Sequence, residues 1–137
     1  MSHSRSIPLI TVLDAKGATG VDLVSGINVE DYRNAVISFA TDGGGDAALT
    51  VKFVGSIQDT APTWTTAASV TNMWDYIEVI DLEDGSAIDG DTGVAVASAD
   101  DYRMVEMNVN GLKWINAIVT ARTAGEVTVK AKIFTNQ

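Results

Sequence analysis

The chain contains no cysteine, which removes disulfides, thiolate metal sites and a thiol nucleophile together. Its one histidine, His3, stands in the polar opening Met1–Ser6 and outside any patterned segment. A Ser-His-Asp triad and a histidine-built transition-metal site are therefore not expected. Apolar runs are short: none approaches the roughly 20 residues that span a bilayer, and Ile7 to Leu13 is too brief for a signal sequence. Neither a membrane partner nor a signal peptide is expected. Cations are scarce as well, nine Lys and Arg against eighteen Asp and Glu for a net charge of −9, with a pI near 4.3. Neutralisation of phosphates dominates nucleic-acid affinity, and an acidic surface carries the wrong sign for it. Gly43-Gly44-Gly45 lacks the Lys-Ser/Thr and the helix of a phosphate-binding loop. No two of the eighteen carboxylates are marked as a glycosidase pair. The expectation is a non-enzymatic protein without a cofactor or metal.

What the sequence has in quantity is two-residue alternation. Ala35, Ile37 and Phe39 alternate with polar neighbours, as do Leu49, Val51 and Phe53, with Thr50 and Lys52 on the wet side. The spacing predicts strands over Asn34 to Ala40 and Ala48 to Val54, joined as a hairpin through Asp42-Gly-Gly-Gly-Asp46. That turn distantly resembles the calcium-binding nonapeptide of stacked β-helices, but such sites share ions between neighbouring repeats and this chain has one copy. A second hairpin is predicted over Leu112–Gln137. One arm carries Trp114, Ile115, Ile118 and Val119, the other sets Val127, Val129, Ala131 and Ile133 against Thr128, Lys130 and Lys132, and Thr123-Ala124-Gly125 turns between them. Further strands are expected at Ile7 to Leu13, with Pro8 at its edge, and at Tyr76 to Leu82, whose apolar residues of both parities suggest cover on both faces. Val94 to Ala97 and Tyr102 to Val109 follow, the latter ending in the Asn110-Gly111 turn. Thr65 to Asn72 reads as an irregular piece or a weak helix. With about eight strands and no amphipathic helix, the fold class is all-β, an antiparallel sandwich or jelly-roll-like barrel. Residues 1–13 read as an arm and first strand, and residues 14–137 as one domain, a length that buries roughly two thirds of the unfolded chain's surface.

Charge is distributed unevenly. Residues 57–110 carry one cation against eleven carboxylates, whereas residues 111–137 carry four cations against one. Acidic loops and the basic strand face with Lys130 and Lys132 either neutralise each other within one molecule or meet between subunits. Asp81, Glu83, Asp84, Asp89 and Asp91 supply oxygen atoms of the kind calcium takes, but the spacing departs from the helix–loop–helix calcium signature, and a solvated loop is favoured. Trp64 and Trp74 are residues whose kind is mostly found in the core or lidding it, the alternative being an exposed aromatic platform.

Val51–Trp64, Asn72–Val79, Ile88–Gly93, Glu106–Ile115 and Gly125–Lys130 together resemble small virion structural proteins of tailed bacteriophages, over about residues 30–137. The resemblance implies a β-sandwich present in many copies, most simply a capsid decoration (cement) protein. Such proteins commonly stand as homotrimers at local symmetry points, bridging neighbouring copies of the major capsid protein. It also implies that an N-terminal arm reaches the capsid, with Ile7, Leu9 and Ile10 as contacts here, although this chain lacks the Pro-rich tail of the best-known decoration folds. Two other roles stay open: a carbohydrate-binding or host-adhesion module using Trp64, Trp74 and Tyr76, and a ring-forming tail or head–tail connector component.

Overall fold

Alternating residues become strands throughout. The computed structural model of the chain describes residues 5–135 as eleven strands, and no helix occurs among the described residues. The long ones are β1 (Ile10–Lys16), β3 (Asn34–Asp42), β4 (Ala48–Ser56), β9 (Tyr102–Asn108), β10 (Trp114–Ala124) and β11 (Glu126–Phe134). The short ones are β2 (Ile27–Asn28), β5 (Asp75–Tyr76), β6 (Val79–Asp81), β7 (Ala87–Ile88) and β8 (Val94–Val96). One sheet runs β1-β11-β3-β9-β6-β7 and the other β2-β10-β4-β5, with β8 also against β4. Every pairing is antiparallel, and the sheets pack as the expected β-sandwich.

Neither predicted hairpin forms. β11 pairs with β3, setting Val129 opposite Phe39, while β10 pairs with β4, setting Ala117 opposite Phe53. The segments after β3 and β10 are thus arches that carry the chain from one sheet to the other. Period-two alternation records only that a strand has one dry face. Two strands facing each other across a core satisfy that pattern as well as two strands side by side. At the second arch Gly125 has a φ of 81°. A Cβ there would lie 2.8 Å from Ala47 Cβ and 3.0 Å from the Asp42 carbonyl oxygen, so the two arches are packed on each other.

Tyr76 to Leu82 is likewise not one strand. It divides into β5, paired to β4, and β6, paired to β9, with the chain crossing between sheets at Ile77-Glu78. The crossing accounts for apolar residues of both parities. At the start of the chain the strand begins at Ile10, later than expected. Ile7 N donates to Ile133 O at 2.9 Å, and Arg5 and Thr135 exchange two bonds of 2.7 and 2.8 Å. Pro8, without an N–H, falls in the gap between these contacts and β1.

The main core fills the space between the sheets with Leu13, Val29, Ile37, Phe39, Leu49, Val51, Phe53, Val105, Met107, Val119, Val129 and Ile133. Burial of each such side chain stabilises the fold by roughly 1.5–3 kcal/mol. A smaller core of Val54, Ile118 and Trp64 lies on the opposite side of the second sheet, because residues 57–74 fold back over it as a flap. β10 therefore buries both faces along Ile115–Val119. Within the same stretch Asn116 is buried, and its Nδ2 donates to the Leu23 carbonyl at 2.8 Å, fixing the loop before β2. Asn116→Ala leaves that carbonyl without its donor and is expected to cost about 1–3 kcal/mol in urea unfolding.

Candidate docking surfaces

The flap is tied by its own polar groups. Asn72 Oδ1 accepts from Thr63 N at 2.7 Å, and its Nδ2 reaches the carbonyls of Thr63, Thr66 and Ala67 at 3.1–3.2 Å. These bonds close residues 63–72 into an irregular loop, and the weak-helix reading of Thr65 to Asn72 gives way to it. Trp64 is 2% exposed and is the anchor of the smaller core, not a platform. Trp74, half-buried, sits 6.4 Å from Trp64 and 5.2 Å from Tyr76, edge-on to the latter. Trp74 Nε1 donates to the Thr66 carbonyl and Trp114 Nε1 to the Gln58 carbonyl, each at 3.0 Å. Lys52 Nζ stands 4.7 Å over the Tyr76 ring and 3.2 Å from Asp91. Beside this cluster lies an open groove of about 630 Å³ lined by Trp64, Thr66, Trp74, Asp75, Tyr76 and Thr120. It offers the half-buried faces of Trp74 and Tyr76, a carboxylate and hydroxyls.

The second surface is the outer face of the first sheet. Lys130 and Lys132 are both exposed there, on the strand between β1 and β3. Lys130 lies opposite Ser38, and Ser38 opposite Met104 on β9. Tyr102 and Met104 occupy the wet-side positions of β9 yet are apolar, 75% and 54% exposed, and Leu82 beside them is 44% exposed. Their signal in the sequence is an aromatic and a methionine at the parity opposite Val105 and Met107.

The acidic stretch is spent on turns. Asp81 Oδ1 accepts from Glu83 N at 2.9 Å, Asp84 Oδ1 from the hydroxyl and amide of Ser86 at 2.7 and 2.9 Å, and Asp89 Oδ1 from Asp91 N at 2.8 Å. The Ser86 hydroxyl, followed by its amide, holds the Asp84 carboxyl below its usual value. Among the described residues no three acidic or histidine side chains converge as a metal site would require. Asp81, Glu83, Asp84, Asp89 and Asp91 are held within three local turns and form no shared cage.

Of the arm residues, Ile7 and Ile10 are half-buried against the main core, and Leu9 is 60% exposed at the sheet edge. Met1–Ser4, with His3, lie outside the described residues.

No protein-family model matches the sequence, and no curated protein sequence matches it. Solved structures do match. The SPBc2 prophage-derived protein YomS superposes with a TM-score of 0.66 at 12% identity, covering 98% of this chain and 96% of that one. The PBSX exported protein XepA superposes with a TM-score of 0.67 at 13% identity, covering 98% of this chain but 39% of that chain. This chain thus spans about two fifths of XepA and nearly all of YomS. The likeness is one of fold: the same β-sandwich, over nearly the whole chain, also occurs in these two proteins.

Proposed function

We propose that this chain is a non-enzymatic structural protein of a bacteriophage particle, a capsid decoration protein that binds the major capsid protein as an oligomer. The observation that carries this reading is the match of fold to the prophage-derived YomS over 98% of this chain and 96% of that one. The absence of cysteine and the placement of the single histidine at position 3 agree with a binding role. A protein that engages only the assembled shell stabilises it by mass action, and the effect is multiplied over many sites. Assembly would take place in the host cytoplasm and the protein would remain in the virion. Quantitative mass spectrometry of intact particles is the test. Hundreds of copies per particle are expected of a shell protein; a handful would instead indicate a tail or head–tail connector, and none would remove the virion reading.

A second reading, a carbohydrate-binding module, is favoured by the groove at Trp74, Asp75 and Tyr76. Tryptophan fluorescence titrated with oligosaccharides decides it: a saturable change lost in Trp74→Ala supports sugar binding, and a flat titration removes it.

A further inference from the structure

The outer face of the first sheet has charges that hold no ion pair among the described residues. Among the described residues, the other three lysines each hold an ion pair: Lys16 with Asp22 at 3.1 Å, Lys52 with Asp91 at 3.2 Å and Lys113 with Glu30 at 3.6 Å. Lys130 and Lys132, exposed on β11, hold none among the described residues. On the far side of the same face, Glu83 and Asp84 are exposed just past β6 and likewise hold no ion pair among the described residues, while Glu106 on β9 is half-buried beside Ile80. The strand order β11-β3-β9-β6 separates the lysines from Glu83 and Asp84 by three inter-strand spacings, about 14 Å, too far for pairing within one molecule, while Glu106 stands in the same row as Lys132, two spacings away across Val36. Between the two charged margins runs a strip of Val36, Ser38, Ala40, Tyr102, Met104 and Leu82, small or apolar side chains on the solvent side of a sheet. A contiguous apolar strip rimmed by charge is the composition of a contact surface.

We infer that this face is self-complementary, and that a second copy of this chain packs on it about a two-fold axis running along the strands between β3 and β9. The axis exchanges β11 with β6 and β3 with β9. Lys130 then stands over Leu82 and Glu83 of the second copy, and Met104 over Ser38, because Lys130, Ser38 and Met104 share one row of the sheet and Leu82 N bonds to Met104 O at 3.0 Å. Each margin finds its opposite sign twice, as an isologous contact requires. Asp84, held ionised by Ser86, keeps its charge in mildly acidic solution. The inference does not depend on the shell-binding role and is tested on the purified full chain.

Sedimentation equilibrium of the wild-type chain is expected to show a dimer that weakens with added salt. Lys130→Glu with Lys132→Glu should raise the dimer dissociation constant by about tenfold or more, as should Glu83→Lys with Asp84→Lys. All four changes in one chain exchange the margins and should restore the dimer, and a mixture of the two double variants should give a heterodimer. Met104→Asp, in the centre of the strip, should abolish association in a chain whose circular dichroism is unchanged. A wild-type monomer, a three-fold or higher ring, or a dimer indifferent to both reversals would overturn the inference.

Discussion

Trp64→Ala is expected to destabilise the chain by about 3–5 kcal/mol, the range for emptying a buried aromatic site. Trp64 is the largest member of the smaller core, packed from the flap onto Val54 and Ile118, and the flap itself has no strand longer than an isolated bridge to hold it. The indole packs the flap onto Val54 and Ile118 of the second sheet. Its loss leaves Asn72's hydrogen bonds to close the loop on itself, while the Trp114–Gln58 and Ser56–Met73 bonds hold the two ends of the flap to β10 and β4 and leave its middle unanchored. Since folded domains are stable by only about 5–15 kcal/mol, a loss of this size should be plain in the urea midpoint. Limited proteolysis should then cut within residues 57–74 before it cuts the sandwich. Trp64→Phe is the control. The Trp64 Nε1 is buried without a partner among the described residues, so the phenyl ring keeps most of the packing while removing an unsatisfied donor. That variant should recover most of the stability lost in Trp64→Ala; equal losses would show that the flap is not anchored through the ring.

Gly125→Val should cost about 2–5 kcal/mol, from two sources that add. A β-branched residue at a φ of 81° is strained by roughly 1–2 kcal/mol. Its Cβ would also press on Ala47 and on the Asp42 carbonyl, where the two arches meet, and overpacking of this kind costs about 1–3 kcal/mol. Gly44, at the tip of the other arch, separates these effects: its φ is 64°, but a Cβ there would meet no atom within 4 Å. Gly44→Asn should therefore be close to neutral, because asparagine tolerates that conformation. Thermal unfolding of both variants reads the difference, and a Gly125→Val chain as stable as Gly44→Asn would mean that the arches do not bear on each other.

Much of the strand content is legible in the sequence, since Asn34–Ala40, Ala48–Val54, Val94–Ala97 and Tyr102–Val109 all alternate and all become strands within a residue or two. The pairing of those strands is not legible, because a dry face looks the same whether its partner lies beside it or across the core. β2 and β7, two residues each, are too short to show a period. β5 and β6 read as one strand because apolar residues continue through the crossing between sheets. As for the surfaces, the positive character of β11 is visible as Lys130 and Lys132. The strip that completes that face needs the structure, since Tyr102, Met104 and Leu82 come from elements whose adjacency only the sheet order reveals. Trp114 packs with Trp64 and Ile118, and the flap that makes this possible has no periodic signal at all.

The sheet order also bears on how the chain reaches this structure. Only β4–β5 and β6–β7 are sequence neighbours that pair; every other connection between the described strands passes to the opposite sheet. Folding therefore begins with few local pairings and must close long loops early, which places such a topology among the slower folders, on the order of milliseconds to seconds. The last of the eleven strands, β11, lies in the interior of its sheet, between β1 and β3. While a ribosome is still synthesising that strand, β1 has no partner and the edge of β3 stays open, so the first sheet closes only after β11 has emerged.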